Sequence, residues 1–168
     1  MTRLLVLGGA RSGKSRYAQA RAESMPGDLI FVATAQALDD EMEDRIARHR
    51  ADRGPRWSTL DVPLDLPAAI DAEAAPDRVL LIDCLTLWTS NLLFADRDLD
   101  TETAALADAV AAAKGPVILV ANEVGLGIVP DNALARRFRD AAGRLNQAIA
   151  AVADEVQFVA AGLPLRLK

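Results

Sequence analysis

The chain has 168 residues, of which 51% are apolar, enough for one domain with a substantial core. Its formal net charge of -5 and the lack of a long basic run argue against sequence-independent binding of nucleic acid. No run approaches the ~18 apolar residues that a membrane span needs, and the single cysteine cannot form an internal disulfide, so we expect a cytoplasmic protein.

Short apolar runs that suit buried strands alternate with longer runs that suit amphipathic helices. The predicted elements, in chain order, are a strand at Leu4–Leu7, a helix at Lys14–Ser24, a strand at Leu29–Ala33, a helix at Asp39–Arg53, a strand at Trp57–Leu60, a helix at Leu64–Glu73, a strand at Val79–Asp83, helices at Leu85–Phe94 and Thr103–Ala113, a strand at Val117–Ala121, a helix at Asn132–Ala153 and a strand at Val156–Ala160. This alternation indicates βαβ units. It predicts one α/β domain over residues 1–168, with a mainly parallel sheet covered by helices on both faces.

A glycine-rich segment joins the first predicted strand to the first predicted helix. Its residues match the pattern G-x-x-x-x-G-K-[ST] of a phosphate-binding loop, or P-loop, and are Gly8, Gly9, Ala10, Arg11, Ser12, Gly13, Lys14 and Ser15. Glycines let backbone N–H groups turn toward phosphate oxygens, and the N-terminus of the following helix adds positive potential. We expect Lys14 to reach the β- and γ-phosphates and Ser15 to ligate Mg²⁺. The strand and helix on either side argue against a chance match and favour a P-loop NTPase-like fold.

Polar residues follow two of the later predicted strands. Asp83 ends a strand at a position where a carboxylate can hold Mg²⁺ directly or through water, although it could instead cap the next helix. Asn122 and Glu123 follow the strand Val117–Ala121, a common place for polar active-site groups. Glu123 could act as a base or metal partner, or it could cap the glycine-containing loop Glu123–Pro130.

The only histidine, His49, lies in a predicted helix that is rich in arginine. Its neighbours in the sequence include Arg45, Arg48, Arg50 and Arg53. Neutral imidazole is a competent nucleophile toward an activated phosphorus, and nearby arginines disfavour its protonation while neutralising phosphate charge. A solvated, charged helix that carries one histidine by accident has the same pattern. Composition and spacing therefore leave both interpretations of His49 open.

Four blocks of the sequence are distinctive, and they are GGARSGKSRYAQA (Gly8–Ala20), ATAQALDDEMEDRIARHRADR (Ala33–Arg53), LLIDCLTLWTSNLLF (Leu80–Phe94) and NEVGLGIVPDNALARRFRDAAGRLNQAIA (Asn122–Ala150). In residues and in order, these blocks resemble the bifunctional adenosylcobinamide kinase / adenosylcobinamide-phosphate guanylyltransferase family. The last block is specific, because ordinary P-loop kinases lack N-E-V-G-x-G-I-V-P. The resemblance spans nearly the whole chain.

The resemblance implies a transferase with two activities. The kinase step moves the γ-phosphoryl group of ATP or GTP to adenosylcobinamide. The guanylyltransferase step forms a covalent GMP–enzyme intermediate from GTP, releases pyrophosphate and passes GMP to adenosylcobinamide phosphate in cobalamin biosynthesis. The family is trimeric, so a homotrimer is also implied.

The resemblance also assigns residues to these activities. The guanylylated histidine of the family falls on His49, which joins Lys14 as a catalytic residue. The implied nucleotide site adds to the phosphate loop the residues Ala33, Thr34, Ala35, Arg50, Ala51, Asp52, Arg53, Asp61 and Asp83. Mg²⁺ is expected at Ser15 and Asp83.

Two other functions fit parts of the sequence. One is a P-loop small-molecule kinase without guanylyl transfer, which would not need His49. The other is a GTP-dependent binding switch, but such proteins usually carry an N-K-x-D motif that reads guanine, and this chain has none.

Overall fold

The computed structural model describes residues 2–36 and 54–168, and these residues form one seven-stranded sheet. The strands are β1 (Arg3–Gly8), β2 (Asp28–Ala33), β3 (Trp57–Asp61), β4 (Arg78–Asp83), β5 (Val117–Asn122), β6 (Glu155–Ala160) and β7 (Leu163–Arg166). Their order across the sheet is β3-β2-β4-β5-β1-β6-β7. The first six are parallel, and β7 runs antiparallel to β6. The predicted mainly parallel sheet is confirmed.

Helices pack on both faces of this sheet, as the sequence predicts. Within the described ranges they are α1 (Lys14–Glu23), α2 (Leu66–Glu73), α3 (Leu85–Phe94), α4 (Leu99–Ala112) and α5 (Ala133–Val152). Ala18 and Ala22 of α1 pack on one face, against a buried cluster that includes Leu4 and Leu81. The other four helices contribute to the larger core on the opposite face. A sheet buried on both faces explains why its inner strands read as continuous apolar runs.

Two elements differ from the sequence prediction. α4 begins at Leu99 rather than Thr103, because the Asp98 side chain accepts a hydrogen bond from the Thr101 backbone N–H at 2.7 Å and caps the helix. The polar first turn of α4 hides this start from an analysis based on apolar periodicity. β7 was not predicted, since it is a short, exposed edge strand that contains Pro164. The predicted helix Asp39–Arg53 lies entirely in the segment 37–53, outside the described residues.

None of the five helices in the described ranges has the length and apolar character that a membrane crossing requires.

A two-pronged ion pair fixes the far end of α1 to the sheet. Both terminal nitrogens of Arg21 donate to the Glu155 carboxylate at 2.8 Å, and Arg21 Nη1 also donates to the Tyr17 hydroxyl. Hydrogen bonding to Arg21 is the main reason that the pKa of Glu155 falls to about 2. Because α1 begins in the phosphate loop, this contact helps to set the direction of the helix that carries Lys14 and Ser15.

We predict that Glu155→Gln lowers the free energy of unfolding by about 2 kcal/mol near neutral pH, because it leaves a partly buried arginine without its counter-charge. The folded-state pKa of Glu155 is depressed, so its contribution is present above its ordinary pKa of 4.5 and is lost as the pH falls toward about 2. Urea unfolding of wild type and variant at about pH 7 and about pH 3 measures the difference. Glu73→Gln, which breaks the more exposed pair with Arg78, is the control and should cost about 0.5 kcal/mol. Equal losses in the two variants would contradict the prediction.

Candidate nucleotide site

The carboxyl ends of the parallel strands bring the sequence-predicted residues of the described part to one edge of the sheet. Gly8 ends β1, Ala33 ends β2, Asp61 ends β3 and Asp83 ends β4. Ligands of open α/β sheets bind at this edge. Residues from well-separated parts of the sequence therefore border one surface.

The phosphate loop between β1 and α1 has the backbone conformation of an anion cradle. Gly13, at the N-cap of α1, has φ 94°, and Arg11 has φ 55°, a left-handed value that is uncommon for a residue with a side chain. The Ser12 backbone N–H donates to the Gly9 carbonyl at 3.3 Å. Lys14 Nζ donates to the same carbonyl at 3.1 Å. The Lys14 side chain thus folds back over the phosphate loop.

Residues at the ends of the strands that flank β1 hold this loop in place. A Cβ atom on Gly8 would lie 2.5 Å from both Ser12 Oγ and the Val159 carbonyl oxygen, so only glycine fits there without movement. The Gly8 carbonyl accepts from the Glu123 backbone N–H at 3.0 Å, and Gly162 N–H donates to the Ser12 carbonyl at 2.7 Å. Gly162 lies in the tight turn between β6 and β7. Sequence reasoning missed this brace, and its only signal was the Ala-Gly pair between two apolar runs.

The loop has unsatisfied groups that fit a bound phosphate. Ser12 Oγ is buried and has no hydrogen-bond partner among the residues that the structure describes. Buried polar atoms are normally paired, so this hydroxyl suits an oxygen of a bound ligand. Gly9 has open space in the direction of an added Cβ, and Ser15 is exposed in the first turn of α1. The loop therefore fits the phosphates of ATP or GTP.

Asp83 lies on the same face of the sheet as α1. Val79 and Leu81 of β4 pack in the cluster on the α1 face, and strand alternation places Asp83 on that face too. Because β5 lies between β4 and β1, Asp83 is two interstrand spacings, about 10 Å, from the strand that leads into the phosphate loop. Cys84, joined to Asp83 by a cis peptide bond, occupies the N-cap position of α3, so the alternative that Asp83 caps this helix is wrong.

A cation at this edge would be held by few protein oxygens. No three His, Cys, Asp or Glu side chains in the described ranges gather to hold a metal ion. Mg²⁺ commonly binds through one or two protein groups together with phosphate oxygens and water. Ser15 and Asp83 fit that arrangement only with the nucleotide present.

Thr34 ties the ends of β2 and β4 together. Its hydroxyl donates to the Cys84 carbonyl at 2.7 Å and accepts from the Cys84 backbone N–H at 2.9 Å. Asn91 Nδ2 donates to the carbonyls of Thr34 and Pro63, at 2.8 and 2.9 Å. Thr34 is completely buried, and these contacts use its hydroxyl and carbonyl. It therefore positions Ala33 and Ala35, and direct nucleotide binding by this segment stays a prediction. Sequence reasoning did not find Asn91.

Cys84 packs as an apolar residue beneath Thr34. Burial, and to a lesser degree the nearby Asp83 carboxylate, raises the pKa of its thiol. The thiol therefore stays protonated and is a poor nucleophile.

The remaining predicted residues lie away from the phosphate loop or outside the described part. Asp61 ends the edge strand β3, four interstrand spacings, or about 19 Å, from β1. Asp61 thus lies at the carboxyl ends of the strands, like the other predicted residues, but it is not next to the phosphate loop. His49, Arg50, Ala51, Asp52 and Arg53 fall within 37–53, outside the described residues.

Glu123 caps its own loop. Its Oε1 accepts from the Gly125 backbone N–H at 2.6 Å. Of the two roles considered for Glu123, this arrangement is the capping one.

We predict that Gly8→Ala lowers the free energy of unfolding by about 2 kcal/mol, because the new Cβ forces β6 or the loop to move. Gly9→Ala is the matched control, since an added Cβ there meets no heavy atom within 4 Å. Chemical denaturation of both variants without nucleotide measures the effect. Equal stability of the two variants would show that the contact at Gly8 relaxes without cost.

We predict that Thr34→Val lowers the free energy of unfolding by about 2 kcal/mol, because it removes the partner of the buried Cys84 N–H, whereas the Cys84 carbonyl keeps its bond from the Trp88 N–H. Thr34→Ser keeps the hydroxyl and should lose about 1 kcal/mol. Urea denaturation of the two variants compares them. A serine variant as unstable as the valine variant would assign the effect to the lost methyl group instead.

Comparison with solved structures supports the fold. The ATPase EscN of the enteropathogenic Escherichia coli type III secretion system matches 95% of this chain and 43% of its own length, with a TM-score of 0.62 at 8% identity. A prototypical ATPase from the type III secretion system of pathogenic bacteria matches 98% of this chain and 56% of its own, with a TM-score of 0.57 at 11% identity. Likeness at such low identity shows the fold alone. It confirms the P-loop NTPase-like architecture expected from Gly8–Ser15.

Comparison of sequences is more specific. Residues 4–167 match the family model described as cobinamide kinase / cobinamide phosphate guanyltransferase. The bifunctional adenosylcobalamin biosynthesis protein CobP of Pseudomonas aeruginosa is 51% identical over 166 residues, covering 98% of this chain and 96% of the relative. The bifunctional adenosylcobalamin biosynthesis protein CobU of Salmonella typhimurium is 44% identical over 180 residues, covering 98% and 99%. Because these matches extend through the phosphate loop and every strand end described above, the chain belongs to the cobinamide kinase / cobinamide phosphate guanyltransferase family of enzymes.

Proposed function

We propose that this protein phosphorylates adenosylcobinamide with ATP or GTP and then converts adenosylcobinamide phosphate to adenosylcobinamide-GDP through a covalent GMP–histidine at His49. The phosphate loop with its unpaired Ser12 hydroxyl, in a chain that matches the family throughout, is the observation that carries the proposal. We further propose that residues 1–168 form one domain that carries both activities and that the protein acts in the cytoplasm.

In the kinase step, the substrate hydroxyl attacks the γ-phosphorus. A P–O bond to the substrate forms, the bond between the γ-phosphorus and the β–γ bridging oxygen breaks, and ADP or GDP leaves while the hydroxyl proton passes to water. Lys14 neutralises the β- and γ-phosphate oxygens in this proposal, and the hydrogen bond from its ammonium to the Gly9 carbonyl of the loop supports that role. Backbone N–H groups at the start of α1 stabilise the same negative charge. Ser15 and Asp83 would hold Mg²⁺, which supplies further charge neutralisation at these oxygens.

In the guanylyl step, the nucleophile and the phosphorus under attack both change. A neutral His49 nitrogen attacks the α-phosphorus of GTP, a P–N bond forms, and the α–β bridging bond breaks to release pyrophosphate. The β- and γ-phosphates that the loop holds for the kinase step are the leaving group here. An oxygen of adenosylcobinamide phosphate then attacks the same phosphorus, which breaks the P–N bond and frees His49. One phosphate loop can therefore serve both steps.

We also propose that the protein forms a homotrimer, as the family resemblance implies. Leu126, Ile128 and Val129 lie within four positions of one another along the chain, and all three are exposed in the single chain. Ile128 is 97% exposed, and its neighbours lie in the loop that follows β5. A group of such side chains commonly marks a surface that another protein covers. We assign that surface to contacts between subunits.

We predict that GTP labelled on the α-phosphorus, with Mg²⁺, leaves a covalent label on the wild-type protein that survives a denaturing gel. A phosphoramidate at histidine would make this label acid-labile and alkali-stable. His49→Ala should carry no label while still phosphorylating adenosylcobinamide, because the kinase step needs Lys14 and not His49. Lys14→Ala should lose about 100-fold or more in the kinase rate.

Three results would overturn parts of the proposal. If the wild type takes up no label but still phosphorylates adenosylcobinamide, the protein is a kinase without guanylyltransferase activity. A label that persists in His49→Ala would mean another nucleophile. Slow GTP hydrolysis that ignores adenosylcobinamide would favour the binding switch.

A further inference from the structure

Asn122 occupies the strand end between the phosphate loop and Asp83. It is the last residue of β5, which lies between β1 and β4 in the sheet. Its register partner on β1 is Gly8, the first residue of the phosphate loop. On the other side, Asp83 pairs with Val120, two residues earlier on the same strand. Asn122 is therefore about one interstrand spacing, roughly 5 Å, from β1, and it lies two residues, about 7 Å along the strand, beyond the level of Asp83.

The side chain of Asn122 is on the α1 face of the sheet. Ile118 and Val120 pack in the cluster on that face, whereas Leu119 and Ala121 pack in the core on the opposite face. Strand alternation then places Asn122 on the same face as Asp83 and beneath α1, which packs against β4 and β5. The first turn of α1 carries Lys14 and Ser15. All four residues belong to the same face and the same edge.

The backbone around Asn122 is fixed, while its amide oxygen has no partner. The Asn122 backbone N–H donates to Thr86 Oγ1 at 2.7 Å, and the next N–H, that of Glu123, donates to the Gly8 carbonyl. Asn122 Oδ1 is buried without a hydrogen bond, as is Ser12 Oγ, and these are the two such side-chain atoms in residues 2–36 and 54–168. Both belong to residues that adjoin Gly8. Buried polar atoms without partners are uncommon in folded proteins and indicate a missing ligand or water.

We infer that Asn122 is a further residue of the nucleotide site and that its amide recognises the γ-phosphate end of the bound nucleotide with its cation. The inference rests on the proposed function only in requiring that a nucleoside triphosphate and Mg²⁺ bind at the phosphate loop. An amide has a carbonyl oxygen that accepts from metal-bound water and an NH₂ group that donates to a phosphate oxygen. It is neutral, so it adds no repulsion toward the triphosphate beside Asp83. Asn122 thus distinguishes a triphosphate from a diphosphate.

The test compares binding of two nucleotides to the purified full chain. A GTP analogue with a β,γ-imido bridge and GDP are titrated calorimetrically, with Mg²⁺ and with a chelator, into wild type, Asn122→Ala and Asn122→Asp. We expect Asn122→Ala to weaken binding of the analogue with Mg²⁺ about tenfold and binding of GDP less than about twofold, because only the analogue has the group that the amide contacts. Asn122→Asp has nearly the same shape and remains informative if the alanine variant does not fold. Its added carboxylate should weaken binding of the analogue more in the presence of the chelator than with Mg²⁺, because the cation offsets the repulsion between carboxylate and phosphate.

Asn146→Ala is the matched control. Asn146 is a buried asparagine of α5, well along the helix from the end of β5, and its removal should leave the ratio of the two affinities unchanged. A general structural role for Asn122 would weaken both nucleotides equally, and an unchanged ratio in both Asn122 variants would overturn the inference. The α-labelled GTP assay runs on the same samples. An Asn122-dependent preference for the triphosphate in a protein that takes up no label would support the inference while rejecting guanylyl transfer.

Discussion

The contact between Gly8 and its neighbours is the constraint on which the nucleotide site depends. At this residue β1 ends, the phosphate loop begins, and there is no room for a side chain between Ser12 and Val159. The Gly8 carbonyl accepts from the residue that follows β5, and Gly162 beyond β6 donates to Ser12. The loop is therefore held by both strands that flank β1. An anion cradle built in this way does not have to be assembled when the nucleotide arrives.

The helix that leaves this loop is fixed at both ends. The loop holds its first turn, and the Arg21–Glu155 ion pair holds its last turn at the opposite edge of the sheet. Lys14 and Ser15 consequently lie on the same face and at the same end of the sheet as Asp83 and Asn122, and the strand order sets how far apart these residues are. Thr34 similarly holds the ends of β2 and β4 together, because its hydroxyl is hydrogen-bonded to the backbone N–H and carbonyl of Cys84. The residues at these strand ends thus fall into two groups, those that we propose contact the nucleotide and those that hold the first group in place.

The predicted site residues lie at different distances from the phosphate loop along the carboxyl ends of the strands. The phosphate loop, Asp83 and Asn122 lie within two interstrand spacings of β1, a region that suits the β- and γ-phosphates. Asp61 lies four spacings away, at the end of the edge strand. A nucleotide that contacted both would lie along the strand ends, with its phosphates at the loop and its other end toward β3. The sequence grouped these residues by family resemblance, and only the strand order gives their separation.

The sequence by itself determined the strands of the inner sheet, the phosphate loop and the family. Uninterrupted apolar runs predict β1, β2, β4 and β5 because those strands are buried on both faces, and the loop is recognisable because glycine, lysine and serine are each required at fixed spacing. Only the tertiary structure decided which polar residues meet. Asn91 reaches Thr34 across 57 positions, Thr86 reaches Asn122 across 36, and Gly162 closes on Ser12 from the far end of the chain. Such contacts depend on the order in which strands are placed side by side, and a local pattern of residue types does not contain that order.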